Sequence, residues 1–380
     1  MCAKSLALNR ILGEIATQGP LTFARFMDLA LYDPVVGYYA SGRAKIGKRG
    51  DFFTNVSVGA IFGEILAGQL REMWLRLGRP SQFALVEQGA NDGQLALDIL
   101  SASDEEMLAA IEYWIVEPFP LFRGLQEETL KTFAPKVRWA EDLDGLPIFD
   151  GVHLSNELVD ALPFHLIRST GQDWEELSVA ANEDLLVFEA ATPCDLLADQ
   201  IRALPRRVKG TIAELRPAAG KWIHALANRL RTGFVLVIDY GFSRDLLLSA
   251  HRTEGTFACY RAHRRDARPL EEPGEKDITA HVDFTALAEN ARDAGFKIEG
   301  YADQHHYLVG ASQEVLKHLN GPPDSASQKR LRSLQTLLHP ESMGSQFHYL
   351  VLSRGVNSAQ KLSGFQFARD PHRELFSSAA

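Results

Sequence analysis

The amino-acid sequence predicts an α/β fold of the doubly wound, Rossmann-like class, in which helices cover both faces of a parallel sheet. Short apolar runs typical of buried strands alternate with helix-length amphipathic segments over residues 83–155, which is the pattern of βαβ units. The most apolar run of the chain follows at residues 233–238, as expected for an interior strand. A chain of 380 residues with 46% hydrophobic residues can bury the core that such a sheet needs.

A helical region and a glycine-rich loop precede the sheet in residues 1–80. Apolar residues at helical spacing predict two helices, the first ending at Gly19 and the second starting at Thr22. The glycine-rich loop covers residues 37–54, and Ser57 is expected to cap the long helix that follows it.

The sheet is predicted in two halves that an antiparallel insertion separates. In the first half, residues 81–163, strands are expected at 83–87, 113–117, 137–140 and 152–155, and helices at 94–100 and 121–133. Residues 164–212 contain short apolar runs with polar turns, typical of neighbouring antiparallel strands, and form a β-rich insertion. In the second half, residues 213–355, strands are expected at 233–238, 296–301 and 347–352, and helices at 222–230, 284–294 and 329–338. Residues 356–380 are expected to be a polar tail that packs weakly.

Charge and cysteine content argue against several classes of protein. The 40 lysines and arginines are outnumbered by 49 acidic residues, for a net charge of −9, so no overall positive field attracts nucleic acid or an anionic membrane. The basic run at residues 261–268 is followed at once by acidic residues and is expected to be a self-neutralising surface loop. The three cysteines lie far apart without the spacing of a metal site, which favours a reducing compartment and no bound metal.

Targeting and membrane signals are not evident in the sequence. No apolar run approaches the roughly 18 residues of a membrane span, and neither a signal peptide nor an arginine-rich presequence is recognisable. We therefore expect a cytoplasmic protein without membrane insertion, or a protein of the mitochondrial matrix if the source is a eukaryote. The sequence leaves the oligomeric state open.

The most informative motif is a glycine turn at the end of the first strand of the sheet. Gly89 and Gly93 allow a tight turn and a close approach of the backbone to a ligand, and Asn91 between them tolerates a left-handed conformation. The helix that follows offers free N–H groups to a nucleotide-like ligand. Glu117 ends the next strand, where a carboxylate can accept both hydroxyls of a ribose. The alternative interpretation is a turn without a ligand.

An acidic residue just before this turn separates two classes of cofactor. Glu87 would repel the pyrophosphate of a dinucleotide, but it suits the α-amino group of S-adenosylmethionine, which has a ribose and an adenine and no phosphate. Asp142, after the third strand, is the candidate acceptor for the adenine amine, with an exposed acidic loop as the alternative. The turn therefore favours a methyltransferase over a dehydrogenase.

A second group of polar residues follows the fourth strand. Asn156, Glu157 and Asp160 come at the carboxyl end of that strand, and open α/β sheets bind their ligands at this edge. These side chains are therefore expected to face the same crevice as Gly89 and Glu117. The alternative is a helix start capped by Asn156, with acidic residues in its first turn.

Several motifs occur in the order seen in one family, and together they span about residues 10–353. They are residues 29–39 (LALYDPVVGYY), 50–54 (GDFFT), 62–63 (FG), the glycine turn, 156–163 (NELVDALP), 238–241 (IDYG) and 277–284 (DITAHVDF). The chain resembles the MidA / complex I assembly factor 7 family of adenosylmethionine-dependent methyltransferases. The NELVDALP and DITAHVDF strings are specific, whereas the glycine turn alone is not.

This resemblance implies a class I methyltransferase core with a seven-stranded sheet, a helical N-terminal region and S-adenosylmethionine as cofactor. The cofactor residues that it implies are Glu87, Gly89, Gly93 and Glu117. It also implies methyl transfer to an arginine of a protein substrate, in respiratory complex assembly, because the mitochondrial member of the family is a protein arginine methyltransferase. Two departures lie beside the expected pocket: Asn91 replaces a glycine, and residues 55–58 follow Thr54 where the family has a Pro-Glu pair.

The chemistry expected of such a site is mainly alignment, because the cofactor already carries a sulfonium leaving group. A guanidinium is a poor nucleophile, so a pair of carboxylates would orient it by bidentate hydrogen bonds. Glu157 and Asp160 are the predicted pair. Asn156 is the predicted partner of the target nitrogen, and His281 the predicted acceptor of the released proton. A non-catalytic adenosylmethionine-binding assembly factor and a nicotinamide-dependent oxidoreductase remain as alternatives.

Overall fold

The computed structural model describes residues 5–42, 54–261, 264–317, 325–357 and 360–376. Part of the predicted glycine-rich loop, residues 43–53, lies outside this range. The described α-helices are α1 (Leu6–Gln18), α2 (Phe23–Met27), α3 (Ile61–Arg76), α4 (Gln94–Ala102), α5 (Glu105–Ala110), α6 (Pro120–Thr129), α7 (Ala198–Arg202), α8 (Pro217–Arg229), α9 (Arg244–Leu247), α10 (Phe284–Asp293), α11 (Gln304–Ala311), α12 (Gln313–Lys317), α13 (Ser325–Leu338) and α14 (Pro371–Phe376). Among these described helices, none is long and apolar enough to cross a membrane.

The predicted strand positions are confirmed to within a few residues. The described strands are β1 (Leu21–Thr22), β2 (Phe83–Gln88), β3 (Ile111–Val116), β4 (Val137–Ala140), β5 (Phe149–Asn156), β6 (His165–Ser169), β7 (Trp174–Asn182), β8 (Leu185–Ala191), β9 (Ile212–Leu215), β10 (Leu230–Phe242), β11 (Ala258–Arg261), β12 (Arg264–Asp266), β13 (Asp277–Thr279), β14 (Val282–Asp283), β15 (Lys297–Asp303) and β16 (Phe347–Arg354). They divide between two units that the contacts of the chain define, and each unit is described by itself.

The first unit is drawn from residues 1–52, 160–221 and 244–281. The predicted antiparallel insertion is present as a sheet of order β1-β7-β6-β9, with β8 paired to β7, and a second sheet has the order β12-β11-β13. The N-terminal region and the insertion share a core, since the ring of Phe23 lies 5.3 Å from that of Phe164. Residues 244–281, which the sequence division placed in the second half of the core, group with the insertion in this unit.

The second unit is drawn from residues 53–159, 222–243 and 282–380 and contains the main sheet. Its strand order is β15-β16-β10-β5-β2-β3-β4, with the short β14 paired to the end of β10. Strands β4, β3, β2, β5 and β10 run parallel, as predicted. The carboxyl ends of β2, β3 and β5 therefore meet at one edge of the sheet, which is where the glycine turn, Glu117 and Asn156 lie.

Three expectations about local structure are wrong. β16 runs antiparallel to both β10 and β15, so the sheet is mixed. Ser57 does not cap α3, because its hydroxyl is 3.1 Å from the Thr54 hydroxyl while Ala60 occupies the cap position. The basic run is not simply a loop: β11 and β12 form an antiparallel pair there, although Arg261 and Glu272 do form the expected kind of ion pair at 2.9 Å.

The predicted weakly packed tail is also a wrong expectation over the described residues. Leu362 and Phe365 are each 1% exposed, and the missing side chain of Gly364 makes room for the ring of Tyr307. Farther along, the Thr285 hydroxyl donates a 2.8 Å hydrogen bond to the carbonyl oxygen of Leu375. A few apolar residues within a polar segment are enough to fix it to the second unit.

Candidate active site

The predicted strand-to-helix turn is formed by three residues in the left-handed conformation. Gly89, Asn91 and Gly93 have φ values of 82°, 47° and 83°, which only glycine and, less readily, asparagine adopt at low cost. β2 ends one residue before this turn and α4 starts one residue after it. Asn91 thus adopts the left-handed backbone that the turn requires.

Close packing against α6 adds a second reason for glycine at position 93. A Cβ atom there would lie 3.3 Å from Leu130 Cδ1 and 3.4 Å from Gln126 Cα. At Gly89 the neighbour would be Leu158, at 3.5 Å. Gly93 is therefore needed for the approach of two helices, besides any approach to a ligand.

The side chain of Gln126 links the glycine turn to Glu117. Its Nε2 donates to the carbonyl oxygen of Asn91 at 2.7 Å and to Glu117 Oε2 at 2.9 Å, and its Oε1 accepts a 2.9 Å bond from the indole N–H of Trp139. Gln126 is fully buried, and the sequence analysis missed it. The signal was present, since Gln126 is a polar residue on the same buried side of α6 as Phe122.

Burial shifts the pKa of the Glu117 carboxyl toward neutral pH. It raises the pKa of this carboxyl to about 7, although the hydrogen bonds from Phe119 N and from Gln126 act in the opposite direction. The Phe119 amide donates to Oε1 at 3.0 Å, so both carboxylate oxygens have one partner and each retains further acceptor capacity.

Glu87 is more deeply buried than the sequence analysis assumed. It is 2% exposed, and its Oε2 accepts a 2.6 Å hydrogen bond from the hydroxyl of Tyr113 on the neighbouring strand. Burial raises the pKa of Glu87 to about 7, and the Tyr113 bond opposes that rise. Its assignment to the cofactor's amino group stays a prediction, as does that of Asp142. Asp142 lies on an exposed turn, where its Oδ1 accepts a 2.8 Å bond from the Gly145 amide.

The end of β5 carries a strained polar turn. Glu157 has a φ of 56°, which costs a residue with a Cβ atom roughly 1–2 kcal/mol. Its amide donates to the carbonyl oxygen of Ile238 at 2.9 Å, and its Oε1 accepts from Asn156 Nδ2 at 3.1 Å. The Oδ1 of Asn156 is buried without a hydrogen-bond partner among the described residues. An unpaired buried acceptor is costly, and such atoms mark places where a ligand donor can bind.

Asp239 holds this turn in place. Its Oδ2 accepts from the amides of Leu158 at 3.2 Å and Val159 at 2.8 Å, and its Oδ1 accepts from the amide of Tyr240 at 2.9 Å. Asp239 is fully buried. The sequence motif contains Asp239, but nothing in its pattern predicts the bonds from Leu158 and Val159, which lie about 80 positions away in the chain.

Asp160 and His281 belong to the first unit, where Arg216 ties their segments together. The guanidinium donates to the carbonyl oxygens of Asp160 at 2.9 Å, Leu162 at 3.1 Å and Ala280 at 2.9 Å. The Asp160 carbonyl oxygen also accepts a 3.1 Å bond from the Ala280 amide. The two specific sequence strings therefore meet through Arg216, which no local pattern predicts.

A family model described as "Putative S-adenosyl-L-methionine-dependent methyltransferase" matches residues 65–302. This match covers most of the main sheet, the glycine turn, Glu117 and the Asn156–Glu157 turn. The chain belongs to this methyltransferase family. It is an S-adenosylmethionine-dependent methyltransferase. The oxidoreductase and the non-catalytic assembly factor, which the sequence left open as alternatives, are therefore wrong.

Relatives over most of the chain support the same family. The human "Protein arginine methyltransferase NDUFAF7, mitochondrial" is 28% identical over 96% of this chain and 86% of its own length, and the mouse protein of the same name is 29% identical over 91% and 84%. A Burkholderia thailandensis protein crystallised with S-adenosyl-homocysteine is 30% identical, with a TM-score of 0.86 over 95% of this chain and 94% of its own.

The residues of this methyltransferase fit an adenosyl cofactor at the edge of the main sheet. When bound, S-adenosylmethionine supplies a methyl group on a sulfonium leaving group. The left-handed backbone at Gly89 and Gly93 fixes the turn that leads into α4, and Glu117 retains acceptor capacity for hydroxyl donors. A carboxylate with remaining acceptor capacity, beside the exposed backbone of a glycine turn, suits a ribose and an amino group.

Proposed function

We propose that this methyltransferase acts on the guanidinium of an arginine in a protein substrate. The observation that carries the proposal is the Asn156–Glu157 turn at the carboxyl end of β5, where a carboxylate is held beside an unpartnered amide oxygen. The human and mouse relatives are named protein arginine methyltransferases, which supports the same acceptor.

Methyl transfer to arginine requires that a charged, planar nucleophile be oriented toward the methyl group. A guanidinium is protonated at neutral pH, and a carboxylate that accepts two of its N–H groups fixes its plane and offsets its charge. Glu157 is the carboxylate that we assign to this role. Its own position is fixed by Asn156 and by the Asp239 bonds to the turn, so little conformational freedom is lost when an acceptor binds. Asn156 Oδ1 then accepts from the target nitrogen.

Asp160 and His281 are separate proposals, because both belong to the first unit. Asp160 would act as a further carboxylate toward the acceptor, and His281 would take up the released proton. Each has its own test: Asp160→Asn and His281→Gln should each lower turnover and leave the affinity for S-adenosylhomocysteine within about threefold of wild type.

We also propose the contacts that hold the cofactor. Glu117 accepts the ribose hydroxyls, the turn at Gly89, Asn91 and Gly93 accommodates the methionine moiety, Glu87 pairs with its amino group, and Asp142 accepts from the adenine amine. Calorimetry with S-adenosylhomocysteine on Glu117→Ala should show a loss of about 1.5–3 kcal/mol, the range for hydrogen bonds to charged groups. An unchanged affinity in the folded variant contradicts the assignment.

The deciding experiment separates cofactor binding from methyl transfer at Glu157. Glu157→Gln keeps the size of the side chain and the bond from Asn156, so S-adenosylhomocysteine affinity should stay within about threefold while methyl transfer falls by about 100-fold or more. The matched control is Glu141→Gln, an exposed glutamate of the same unit, which should change neither quantity. Full turnover in Glu157→Gln would contradict the acceptor site and leave the cofactor assignment intact.

The acceptor itself is found by labelling. Lysate from a strain in which the gene for this enzyme is deleted is incubated with the enzyme and methyl-labelled cofactor, and the labelled protein is identified by mass spectrometry. We expect the label on an arginine, and replacement of that arginine by lysine should abolish transfer, because a compact ammonium does not satisfy a planar two-pronged site. A label on a carboxylate, a small molecule or nucleic acid would overturn the proposal.

We further propose that the acceptor is a subunit of a respiratory complex, in a reducing intracellular compartment. The family resemblance supports the first part, and the mitochondrial relatives and the three dispersed cysteines support the second. Fractionating the lysate before labelling tests the first part, since the labelled protein should appear in the fraction that contains the respiratory complexes. Labelling confined to other fractions contradicts this proposal alone.

A further inference from the structure

Three side chains with metal-binding atoms meet in the first unit. One ligand atom from each of His165, Glu176 and Cys194 lies within 4.8 Å of the other two. The imidazole Nδ1 of His165 is 2.7 Å from Glu176 Oε1, and the backbone amide of Cys194 donates to Glu176 Oε2 at 3.1 Å. The methyltransferase chemistry described above does not use any of these residues.

Strand register explains why these residues meet. In the β6–β7 pairing Glu176 stands opposite Ile167, so His165, two positions from Ile167, is on the same face of the sheet as Glu176. In the β7–β8 pairing Glu176 stands opposite Ala191, and Cys194 follows three residues later. The residues are separated by 11 and 18 positions in the chain, which is why no short metal-binding motif is visible in the sequence.

The cluster is buried beside apolar residues. The side chains of His165 and Glu176 are 8% and 2% exposed, and Cys194 packs against the small core of Ile167, Leu197 and Leu215. Burying a carboxylate in apolar surroundings is expensive unless it is paired or coordinates a metal. The His165 imidazole and the Cys194 backbone amide both bond to the Glu176 carboxylate, and the Cys194 thiol adds a soft ligand at the same place.

We propose that His165, Glu176 and Cys194 bind one Zn²⁺ ion. Thiolate sulfur, imidazole nitrogen and carboxylate oxygen are the three ligand types that zinc takes in proteins. Zinc–ligand bonds of about 2.0–2.3 Å place tetrahedral ligand atoms about 3.5 Å apart, so small side-chain rotations within the present 4.8 Å cluster complete the site. Three protein ligands leave a fourth position for water. Binding releases the thiol proton of Cys194 to solvent, and any proton on His165 Nδ1 moves to Nε2 or to solvent, so that the imidazole binds as a neutral ligand.

Cobalt substitution tests the site without reference to methyl transfer. Full-length protein without an affinity tag is stripped with a chelator and titrated with Co²⁺ and then with Zn²⁺. We expect one Co²⁺ per chain, with tetrahedral d–d absorption and a thiolate-to-cobalt charge-transfer band that Zn²⁺ removes. Cys194→Ser should lose the charge-transfer band and bind Zn²⁺ at least tenfold more weakly. Cys259→Ser, at the buried cysteine of the same unit, should keep both.

Thermal unfolding with and without Zn²⁺ gives a second readout that does not depend on the absorption spectrum of bound cobalt. Zinc should raise the unfolding temperature of the wild type and of Cys259→Ser but not that of Cys194→Ser or Glu176→Gln, because a ligand that binds only the folded state stabilises it. Wild-type protein that binds no more metal than Cys194→Ser, or a cobalt spectrum without a thiolate band, would overturn the proposal and leave a buried hydrogen-bonded pair.

Discussion

Replacing Glu87 by glutamine should stabilise the second unit at neutral and alkaline pH. Glu87 is buried on β2, and burial raises its pKa from the ordinary value of 4.5 to about 7. A carboxyl whose pKa is higher in the folded state binds its proton more tightly there, so it contributes stability below pH 4.5 and loses that contribution as the pH rises through 7. Glutamine has nearly the same shape as the protonated acid and still accepts from Tyr113, and it does not ionise.

The expected size of the effect follows from the two pKa values. One pKa unit corresponds to 1.36 kcal/mol, so full ionisation of Glu87 costs the folded protein about 3 kcal/mol relative to the unfolded chain. Glu87→Gln should therefore match the wild type near pH 4 and exceed its unfolding free energy by about 3 kcal/mol near pH 8. For a domain of 150–250 residues this corresponds to about 6–12 °C in unfolding temperature.

Tryptophan fluorescence is a suitable probe, because Trp74, Trp114, Trp139 and Trp222 all lie in the second unit. Thermal unfolding is measured without cofactor at several values from pH 4 to pH 8. The control Glu141→Gln alters an exposed carboxylate and should stay within about 0.5 kcal/mol of wild type throughout. A Glu87→Gln variant that gains nothing at pH 8, or gains as much at pH 4, would refute the burial argument.

Three further predictions concern the site. S-adenosylhomocysteine affinity should be at least tenfold weaker at pH 6 than at pH 8, because burial raises the pKa values of both Glu117 and Glu87 to about 7 and each binds the ligand best when ionised. Calorimetry should show this dependence reduced, but not abolished, in Glu117→Gln. Gln126→Leu should lower the unfolding free energy by about 1–3 kcal/mol, because it leaves the Trp139 N–H without its acceptor. Urea unfolding measures this loss of stability. Asp239→Asn should lower turnover more than S-adenosylhomocysteine affinity, because one amide oxygen replaces the carboxylate that holds the Glu157 turn; equal losses in both assays would contradict this.

Most of the main sheet was predictable, because buried parallel strands are apolar along their whole length. The runs that became β2, β5 and β10 could be recognised without any tertiary information. The direction of β16 was not predictable, since an apolar run is the same whichever way it enters a sheet. The short strands β11 and β12 were missed because β11 has only four residues and β12 consists of three charged residues, so their pairing, and not their composition, makes them strands.

In the candidate site, too, some residues could be predicted from local sequence and others could not. Gly89, Asn91 and Gly93 follow from backbone preferences that a local sequence expresses, and the structure has all three in the left-handed region. Gln126 and Asp239 act through hydrogen bonds to distant residues, so their importance depends on the completed fold. The burial of Glu87 likewise depends on the completed sheet, where Tyr113 of the neighbouring strand donates a hydrogen bond to its carboxylate.

The position of β16 has a consequence for how the protein is made. β16 lies between β10 and β15, yet it is the last of the three to leave the ribosome. The roughly 100 residues between the end of β10 and the start of β16 take about 5–20 s to synthesise at 5–20 residues per second. During that interval the most apolar strand of the chain has an unpaired edge, and such edges invite pairing with other chains. Nascent chains stalled within residues 243–346 should therefore aggregate unless a chaperone covers β10, and slow translation of this stretch would lower the yield of folded enzyme.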